Sequence, residues 1–352
     1  MSATGAMTAA VLRGKEDVRI ERVPVPALEP GGVRVRVRAA LTCGTDVKVF
    51  RRGYHARMIV PPAVFGHEFA GEIEAIGEGV AGWAVGDRVV AANSAPCGGC
   101  FYCALSRPEL CEDLLFINGA YAQYISIPER VVQANLLRLP DSVTFEEAAL
   151  AEPLACVVRG TELTGVSAGE TVAVVGVGPI GLMFVRLCKL AGASVIAVGR
   201  RPARLEMARE MGADALVSAE DGRAAVATVR ELAYAGHGPD RVIECVGRPE
   251  VWELAIAMVR KAGTVNLFGG CPRGALARLD TGRVHYDELT LLGSFHHTPD
   301  SVRKALELIA NGKFPAASFI QERAPLAELP RVLRALANGH SAIKVAIEPS
   351  AR

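Results

Sequence analysis

The sequence has almost no excess of charge. Its 39 lysine and arginine residues are balanced by 38 aspartate and glutamate residues, which leaves a formal net charge of +1 over 352 residues. The chain also lacks long runs of like charge, internal repeats and low-complexity segments. A basic face for a nucleic acid or for an anionic membrane surface is therefore not expected, and neither partner is predicted.

A hydrophobic run long enough to span a bilayer is also missing. The longest apolar run, 172–185, is interrupted by glycines and a proline, and a transmembrane helix needs roughly 20 apolar residues. The N-terminal residues MSATGAMTAAVLR have no basic leader ahead of their apolar stretch, so they do not predict a signal peptide. We expect a globular, cytoplasmic protein, long enough for two domains.

Nine cysteines are an odd number for paired disulfides, which a reducing cytoplasm disfavours. Four of them have the spacing C-x2-C-x2-C-x7-C, namely Cys97, Cys100, Cys103 and Cys111. Four thiolates suit tetrahedral zinc, and a closed four-sulfur site is structural because no position remains for water. Iron–sulfur ligand runs end instead in C-x3-C-P. We therefore predict a structural zinc, with an iron–sulfur cluster or free thiols as the alternatives.

The segment TVAVVGVGPIGLMFVRLCKL predicts a strand, a glycine turn and a helix. Residues 172–175 form an apolar run typical of a buried parallel strand, and Gly176, Gly178 and Gly181 match G-x-G-x-x-G. In this setting the glycines make a tight turn, let the backbone approach a pyrophosphate, and let the helix pack on the strand. Pro179 suits the first helical turn, whose free N–H groups face the phosphates. A glycine turn without a ligand is the alternative.

Strands and helices continue to alternate after this turn. Such alternation predicts a doubly wound parallel sheet, here a dinucleotide-binding domain at 156–292. The predicted strands are 194–198, 215–217, 241–245 and 264–268, and the predicted helices are 205–211, 223–235 and 251–260.

The two ends of the chain differ from this central part. Short β-rich runs at 33–37, 71–76 and 88–91 lie between glycine and proline turns and indicate a small barrel-like β domain. The tail after Gly293 predicts one helix, 301–311, and one final strand, 343–347. We expect the tail to rejoin the first domain, so that 1–155 and 293–352 form one unit.

Three further segments offer metal ligands: LTCGTD contains Cys43, FGHEFAG contains His67 and Glu68, and AEPLAC contains Glu152. Each alone has an ordinary explanation, as a buried cysteine, a packed histidine or a surface glutamate. Together they predict a mixed-ligand zinc with room for water or substrate. Such a zinc acts as a Lewis acid on a hydroxyl group, and a nicotinamide held at the glycine turn would accept the hydride.

The motifs CGTD, GHEFAG, VGDRVV, the four-cysteine segment, EP and VGxGPIG follow in this order over essentially the whole chain. In this the sequence resembles the zinc-dependent medium-chain alcohol/polyol dehydrogenases, which include sorbitol, threonine and cyclitol dehydrogenases. The resemblance implies an α/β protein with a GroES-like β-rich catalytic domain and a Rossmann domain. It implies a homodimer or homotetramer that interconverts a polar secondary alcohol (polyol, cyclitol or sugar-like) and a ketone with NAD(P) and two zinc ions.

The resemblance also implies the ligands of the catalytic zinc. Cys43 and His67 bind it, and Glu68 and Glu152 complete or alternate in its coordination shell. A glutamate at position 152 resembles the polyol branch of the family rather than the branch with a second cysteine there.

The proton relay is implied in the same way. Thr45 matches the residue whose hydroxyl hydrogen-bonds the substrate oxygen, and Asp46 matches the carboxylate that orients the ligand histidine. Many relatives have a histidine three residues after the hydroxyl residue, and here that position is Lys48. Either Lys48 serves the relay, or a ribose hydroxyl of the cofactor passes the proton directly to water.

The end of the second predicted strand bears on the choice of cofactor. An acidic residue at this point binds the 2′-hydroxyl of NAD, whereas arginine accommodates the 2′-phosphate of NADP. Here the strand ends in Gly199, Arg200 and Arg201, without an acidic residue. Glycine leaves space for the phosphate and the guanidinium groups can bind it, so we expect NADP. If both arginines only flank a helix beginning at Pro202, NAD or dual use stays open.

Further residues complete the expected site. His296 and His297 fall where relatives place residues that face the nicotinamide and the substrate, with a surface turn as the alternative. A polar substrate mouth or a solvated loop is expected from Arg51, Arg52, Tyr54 and His55. The predicted cofactor site also includes Pro179, Ile180, Val246, Gly269, Phe295 and Lys344.

Two other functions remain to be weighed against an alcohol dehydrogenase. A catalytically silent nucleotide-binding relative would be expected to lose a ligand or a glycine, and none is missing. A zinc-free quinone or enoyl reductase needs neither Cys43 and His67 nor the four-cysteine segment, so their joint presence argues against it.

Overall fold

The computed structural model describes residues 5–54, 59–234 and 236–350. The chain divides into two compact units. One holds the residues up to 155 together with those from 298 onward, and the other holds 156–297. The second boundary was expected at 292–293, whereas the central unit extends to His297.

The N-terminal part of the first unit consists mainly of short strands. Val33, Val35 and Val37 alternate with arginines and are fully buried, which is the two-residue period of a strand with one face in the core. The strands are β1 (Ala6–Gly14), β2 (Asp17–Pro24), β3 (Val33–Leu41), β4 (Ala63–Val64), β5 (Phe69–Ile76), β6 (Arg88–Ala91), β7 (Ser94–Ala95), β8 (Leu115–Phe116), β9 (Tyr124–Ile127) and β10 (Leu136–Arg138). The helices are α1 (Gly44–Arg52), α2 (Phe101–Ala104), α3 (Glu129–Asn135), α4 (Phe145–Ala149) and α5 (Ala151–Thr164), whose residues from 156 onward belong to the central unit.

The central unit alternates strand and helix. Its strands are β11 (Thr171–Val175), β12 (Ser194–Gly199), β13 (Ala215–Ser218), β14 (Arg241–Glu244), β15 (Thr264–Leu267) and β16 (Thr290–Gly293). Its helices are α6 (Pro179–Leu190), α7 (Pro202–Glu210), α8 (Gly222–Glu231), α9 (Pro249–Met258) and α10 (Thr281–Tyr286). The strands are parallel in the order β13-β12-β11-β14-β15-β16. This is the predicted doubly wound sheet, and its strand order reverses between β11 and β14.

The tail is richer in structure than predicted. It contains α11 (Pro299–Ala310), β17 (Ile320–Pro325), α12 (Leu329–Ala337) and β18 (Lys344–Glu348), so the prediction of one helix and one strand was wrong. Strand β17 escaped prediction because three consecutive residues are exposed and it pairs only with β18, which leaves no alternating pattern. The apolar spacing of α12, with Leu329, Val332 and Leu333 buried, was visible in the sequence, but Pro330 interrupts it in the first turn.

The largest sheet of the first unit brings three distant segments to one point. Its order is β10-β6-β5-β3-β18-β17, with β9 also pairing with β3. Strand β3 lies between β5 and β18, with Ala40 opposite Phe69 and Leu41 opposite Ala346. The end of β3, the start of β5 and the start of β18 therefore meet, which places Cys43, His67 and Lys344 in one region of the unit.

Candidate active site and zinc centres

The four predicted structural-zinc ligands come together in the first unit. The sulfur atoms of Cys97, Cys100, Cys103 and Cys111 all lie within 4.8 Å of one another. The Sγ atoms of Cys100 and Cys111 are 3.8 Å apart. Four sulfurs at about 2.3 Å from a central zinc define a tetrahedron with edges of about 3.8 Å. The donor set therefore fits a tetrahedral zinc.

Backbone N–H groups point at these sulfur atoms. The amide of Cys97 donates to Cys111 Sγ at 3.2 Å, and the amide of Glu112 donates to Cys100 Sγ at 3.4 Å. Hydrogen bonds from the Cys103 and Glu112 amides lower the pKa of Cys100 to about 6, whereas burial raises the pKa of Cys111 to about 12. Four thiolates would therefore require a cation between them, which zinc supplies.

A second donor cluster lies at the ends of β3 and β5. Ligand atoms of Cys43, His67 and Glu68 lie within 4.8 Å of one another. His67 and Glu68 are buried, with relative exposures of 4% and 0%, whereas Cys43 is half-buried. Buried polar side chains at this density need a partner, and a thiolate, an imidazole and a carboxylate suit zinc.

The CGTD segment forms the beginning of α1. Cys43 is the N-cap residue, and its sulfur accepts a hydrogen bond from the Thr45 amide at 3.4 Å. The Asp46 carboxylate in turn accepts one from the Cys43 amide at 2.9 Å. These reciprocal bonds form a capping box. They fix the Cys43 sulfur at the N-terminus of α1.

Asp46 connects Cys43 to the histidine. Its Oδ1 lies 3.4 Å from His67 Nδ1, and its Oδ2 accepts a hydrogen bond of 2.6 Å from the Tyr121 hydroxyl. Burial alone would lower the pKa of His67, but the negative charges of Asp46 and Cys43 raise it well above the usual value. With Nδ1 facing the carboxylate, Nε2 is the nitrogen available to a metal.

The predicted glycine turn connects β11 to α6. Gly176 has a φ of 98°, a backbone conformation that residues other than glycine rarely adopt. A Cβ at Gly181 would lie 1.9 Å from the Gly176 carbonyl oxygen, whereas the space next to Gly178 is open. Helix α6 begins with Pro179 and has no side-chain cap. Open space and free N–H groups are what a pyrophosphate requires.

The end of β12 packs closely on the glycine turn. A Cβ at Gly199 would lie 2.3 Å from Cγ2 of Val177, and a β-branched side chain cannot easily move away. Packing on Val177 is therefore a second reason for a glycine at this position. Arg200 and Arg201 are exposed beside it, and the binding of a 2′-phosphate here stays a prediction.

Two family models match the chain. The alcohol dehydrogenase GroES-like domain covers residues 29–141, and the zinc-binding dehydrogenase domain covers residues 179–311. Sorbitol dehydrogenase of Bacillus subtilis is 31% identical over 352 residues, covering 98% of both chains. The chain belongs to the zinc-dependent medium-chain alcohol/polyol dehydrogenase family.

Other relatives of the dehydrogenase support the same family assignment. An L-threonine 3-dehydrogenase of Bacillus licheniformis is 32% identical over 333 residues, covering 93% of this chain and 94% of the relative. A crystal structure from Sinorhizobium meliloti, assigned to the zinc-binding dehydrogenases and bound to NADP, has a TM-score of 0.89 and 32% identity. It covers 98% of this chain and 100% of its own. The predicted family, the GroES-like and Rossmann fold and the alcohol–ketone oxidoreductase activity with NAD(P) are thereby confirmed.

Glu152, expected in the coordination shell, lies in the first turn of α5 and is buried. Among the described residues, the cluster of Cys43, His67 and Glu68 does not extend to it. Burial raises the pKa of Glu152 to about 7, while His67 lowers it and Glu68 raises it further. The carboxylate of Glu152 is thus close enough to interact electrostatically with the cluster, and its role as a ligand stays a prediction.

Lys344 has a different surrounding from the one expected for a cofactor contact. It begins β18, is 2% exposed, and donates to Glu68 Oε1 at 2.6 Å and also to Oε2. Burial raises the pKa of Glu68, and the Lys344 ammonium opposes this increase. The dehydrogenase therefore holds a lysine–glutamate ion pair directly beside its candidate zinc ligands, which no local sequence pattern revealed.

The residues around Thr45 separate into two groups. Thr45 is half-buried beside the cluster, and Lys48 lies one turn later in α1 and is exposed. Arg51 donates to the Ala337 carbonyl at the end of α12, so its guanidinium caps that helix. Arg52, the last residue of α1, and Tyr54 are exposed, and the predicted mouth residue His55 lies outside the described residues.

The predicted cofactor contacts of the central unit lie at the carboxyl edge of its sheet. Ile180 is in the first turn of α6, and Val246 and Gly269 follow β14 and β15. Phe295 follows β16, is half-exposed, and stacks on His296. His297 lies beside His296, with ring centroids 4.0 Å apart, and is 2% exposed, so a plain surface turn does not describe it.

Sequence reasoning missed Tyr121. It is fully buried and packs edge-on against Phe65, with the ring centroids 5.1 Å apart. Its hydroxyl group donates to the Asp46 carboxylate and to the Leu41 carbonyl. A tyrosine in the segment NGAYAQY carries no local signal for this role.

Across residues 5–54, 59–234 and 236–350, no helix has the length and apolar character needed to cross a membrane.

Proposed function

We propose that the dehydrogenase oxidises a polar secondary alcohol, of the polyol, cyclitol or sugar type, to a ketone, with NADP as hydride acceptor. The convergence of Cys43, His67 and Glu68, with Asp46 behind the cysteine and the histidine, is the observation that carries this proposal. The polar substrate class is supported by sorbitol dehydrogenase and L-threonine 3-dehydrogenase among the relatives.

The catalytic zinc would be held by Cys43, His67 and Glu152, with Glu68 close by. When bound, it supplies a Lewis acid that lowers the pKa of an alcohol hydroxyl. Asp46 keeps the His67 ring in place through Nδ1, and Lys344 holds Glu68. Glu68 therefore has a second partner and is the carboxylate best suited to leave and rejoin the coordination shell.

The alcohol loses a proton from oxygen and a hydride from carbon. A bound nicotinamide would supply the acceptor for the hydride. Thr45 Oγ1 would accept the hydroxyl proton, because the residue is half-buried next to Cys43. Lys48 lies three positions later in the same helix, and residues at this spacing are neighbours on a helix surface. An exposed lysine there supports a path for the proton from Thr45 towards water.

The cofactor proposal depends on the carboxyl edge of the central sheet. The N-terminus of α6 would bind the pyrophosphate, and Arg200 and Arg201 would bind the 2′-phosphate. The related structure from Sinorhizobium meliloti, bound to NADP, supports this choice. NAD or dual use is the alternative if the two arginines face only water.

We expect Arg200→Ala to lower kcat/KM with NADP by about tenfold to a hundredfold, the value of a hydrogen bond between charged groups. The value with NAD should change little, because NAD has no 2′-phosphate. Arg223→Ala, at an exposed position of α8, is the matched control. A wild-type enzyme that prefers NAD and is unaffected by Arg200→Ala contradicts the assignment. Gly199→Asp is unsuitable because its Cβ would collide with Val177.

The four-cysteine cluster would hold a structural zinc. Cys100→Ser should remove this zinc and lower the free energy of unfolding by about 2 kcal/mol or more, because metal binding here is local folding free energy. Thermal unfolding and zinc content measure the effect, and Cys271→Ser, outside the cluster, is the control. A Cys100→Ser enzyme that is fully stable but inactive would show that the cluster is catalytic.

The substrate is identified by turnover. A panel of polyols, inositols and sugars, followed by the absorbance of reduced nicotinamide, should give activity with polar secondary alcohols and little with simple primary alcohols. Activity with none of them contradicts the proposed substrate class.

We further propose a homodimer or homotetramer, on the family resemblance alone. A cytoplasmic location is proposed from the sequence, because nine cysteines are an odd number for paired disulfides.

A further inference from the structure

Glu244 occupies a special position in the central sheet. It is the last residue of β14 and lies opposite Val175, the last residue of β11. The strand order reverses between these two strands, and ligands of doubly wound sheets bind in the crevice at this reversal. The Glu244 side chain is 0% exposed.

The carboxylate lies between two loops of this edge. Its Oε1 accepts hydrogen bonds from the amides of Val246 and Gly247 at 2.7 and 2.9 Å. Its Oε2 faces Gly269, where a Cβ would lie only 2.6 Å away. The Gly269 amide donates to the Glu244 carbonyl at 2.8 Å, and Trp252 Nε1 donates to the Gly269 carbonyl at 3.0 Å.

The loop after β14 also reaches the glycine turn. A Cβ at Gly176 would lie 2.5 Å from Val246 Cγ2, and the Cys245 amide donates to the Val175 carbonyl at 2.8 Å. Glu244 therefore holds a loop that packs directly on Gly176, the first glycine of the dinucleotide turn. This loop borders the predicted cofactor crevice.

The charge of Glu244 has no cationic partner among the described residues. Its hydrogen-bond donors are the backbone amides of Val246 and Gly247, and no lysine, arginine or histidine of the described residues forms an ion pair with it. Burial raises the pKa of Glu244 above its usual value, and the hydrogen bonds from the amides of Gly247 and Val246 limit this increase. A carboxylate whose partners all donate is suited to stay ionised.

We propose that Glu244 biases the dinucleotide-binding crevice towards the oxidised form of the cofactor. The oxidised nicotinamide ring carries a positive charge and the reduced ring is neutral, so a buried negative charge in the same crevice stabilises the oxidised form selectively. At an effective dielectric constant of about 20, two unit charges separated by roughly 10 Å interact strongly enough to change a binding constant by about tenfold. The inference rests on the proposed function, because it assumes that a nicotinamide dinucleotide binds here.

The test compares two dissociation constants for the full chain without alcohol. NADP⁺ and NADPH are titrated separately into the wild type and into Glu244→Gln, which keeps the side-chain shape and removes the charge. The ratio of Kd for NADPH to Kd for NADP⁺ should fall by about tenfold in the variant. Equal weakening of both forms, with the ratio unchanged, would mean that Glu244 acts only through the loops and would overturn the proposal.

Two further variants separate charge from structure. Trp252→Phe removes the indole hydrogen bond to Gly269 but leaves the carboxylate, so the ratio should stay at the wild-type value. Glu244→Asp keeps the charge, so its ratio should stay close to that of the wild type, and this arm decides the matter if Glu244→Gln does not fold. A tenfold fall in the ratio of Kd for NADPH to Kd for NADP⁺ in Glu244→Asp overturns the proposal. A wild type that binds neither dinucleotide would instead refute the proposed function, and this inference with it.

Discussion

His67→Gln should lower kcat/KM for alcohol oxidation by on the order of 10³-fold, because a metal Lewis acid contributes several kcal/mol to such a reaction. The imidazole is buried, with Nδ1 facing Asp46, and glutamine cannot supply an equivalent nitrogen donor. Affinity for NADP should be nearly unchanged, since the glycine turn belongs to the other unit. Steady-state kinetics and a separate cofactor titration measure the two effects.

The matched control for this variant is His340→Gln. His340 is exposed and forms an ion pair with Glu322 at 2.6 Å, away from the donor cluster. Such surface pairs contribute little to stability, so activity should stay near the wild-type value. If His67→Gln kept its zinc and its activity, the histidine would not be a ligand.

Thr45→Val should lower kcat by about 10²-fold to 10⁴-fold, the range that general acid–base catalysis contributes. Valine keeps the branched shape of threonine but has no hydroxyl to accept the substrate proton. The backbone hydrogen bond from residue 45 to the Cys43 sulfur remains, so zinc content should not change. The pH–rate profile should lose the ionisation assigned to the relay.

Two companion variants locate the path of the proton. Thr45→Ser restores a hydroxyl and should recover most of the activity. Lys48→Met should slow turnover if the lysine carries the proton onward, and should have little effect if a ribose hydroxyl passes it to water. An unchanged pH–rate profile in Thr45→Val would remove Thr45 from the relay.

The features predicted correctly from the sequence are those encoded within a few residues. The glycine turn and the four-cysteine spacing each require particular residue types at fixed spacing, because a single turn or short segment holds them together. The parallel sheet followed from the alternation of apolar strands with helices. These patterns survive in the sequence because their geometry is local.

The features that were missed depend on contacts between distant residues. Tyr121 reaches Asp46 across 75 positions, and Lys344 reaches Glu68 across 276. Neither contact has a local pattern. The meeting of β3, β5 and β18 brings Lys344 to Glu68, and the loop before β9 brings Tyr121 to Asp46. Gly199 shows the same limit, because its close contact with Val177, which also requires a glycine, depends on residues 22 positions apart.

The zinc content of the purified full chain tests the central claim most directly. Elemental analysis should give two zinc ions per chain in the wild type, and one in His67→Gln with the four-cysteine site still filled. Loss of the catalytic zinc in that variant should coincide with the loss of turnover. A wild-type chain that oxidises alcohols with one zinc or none would contradict a catalytic zinc at Cys43 and His67.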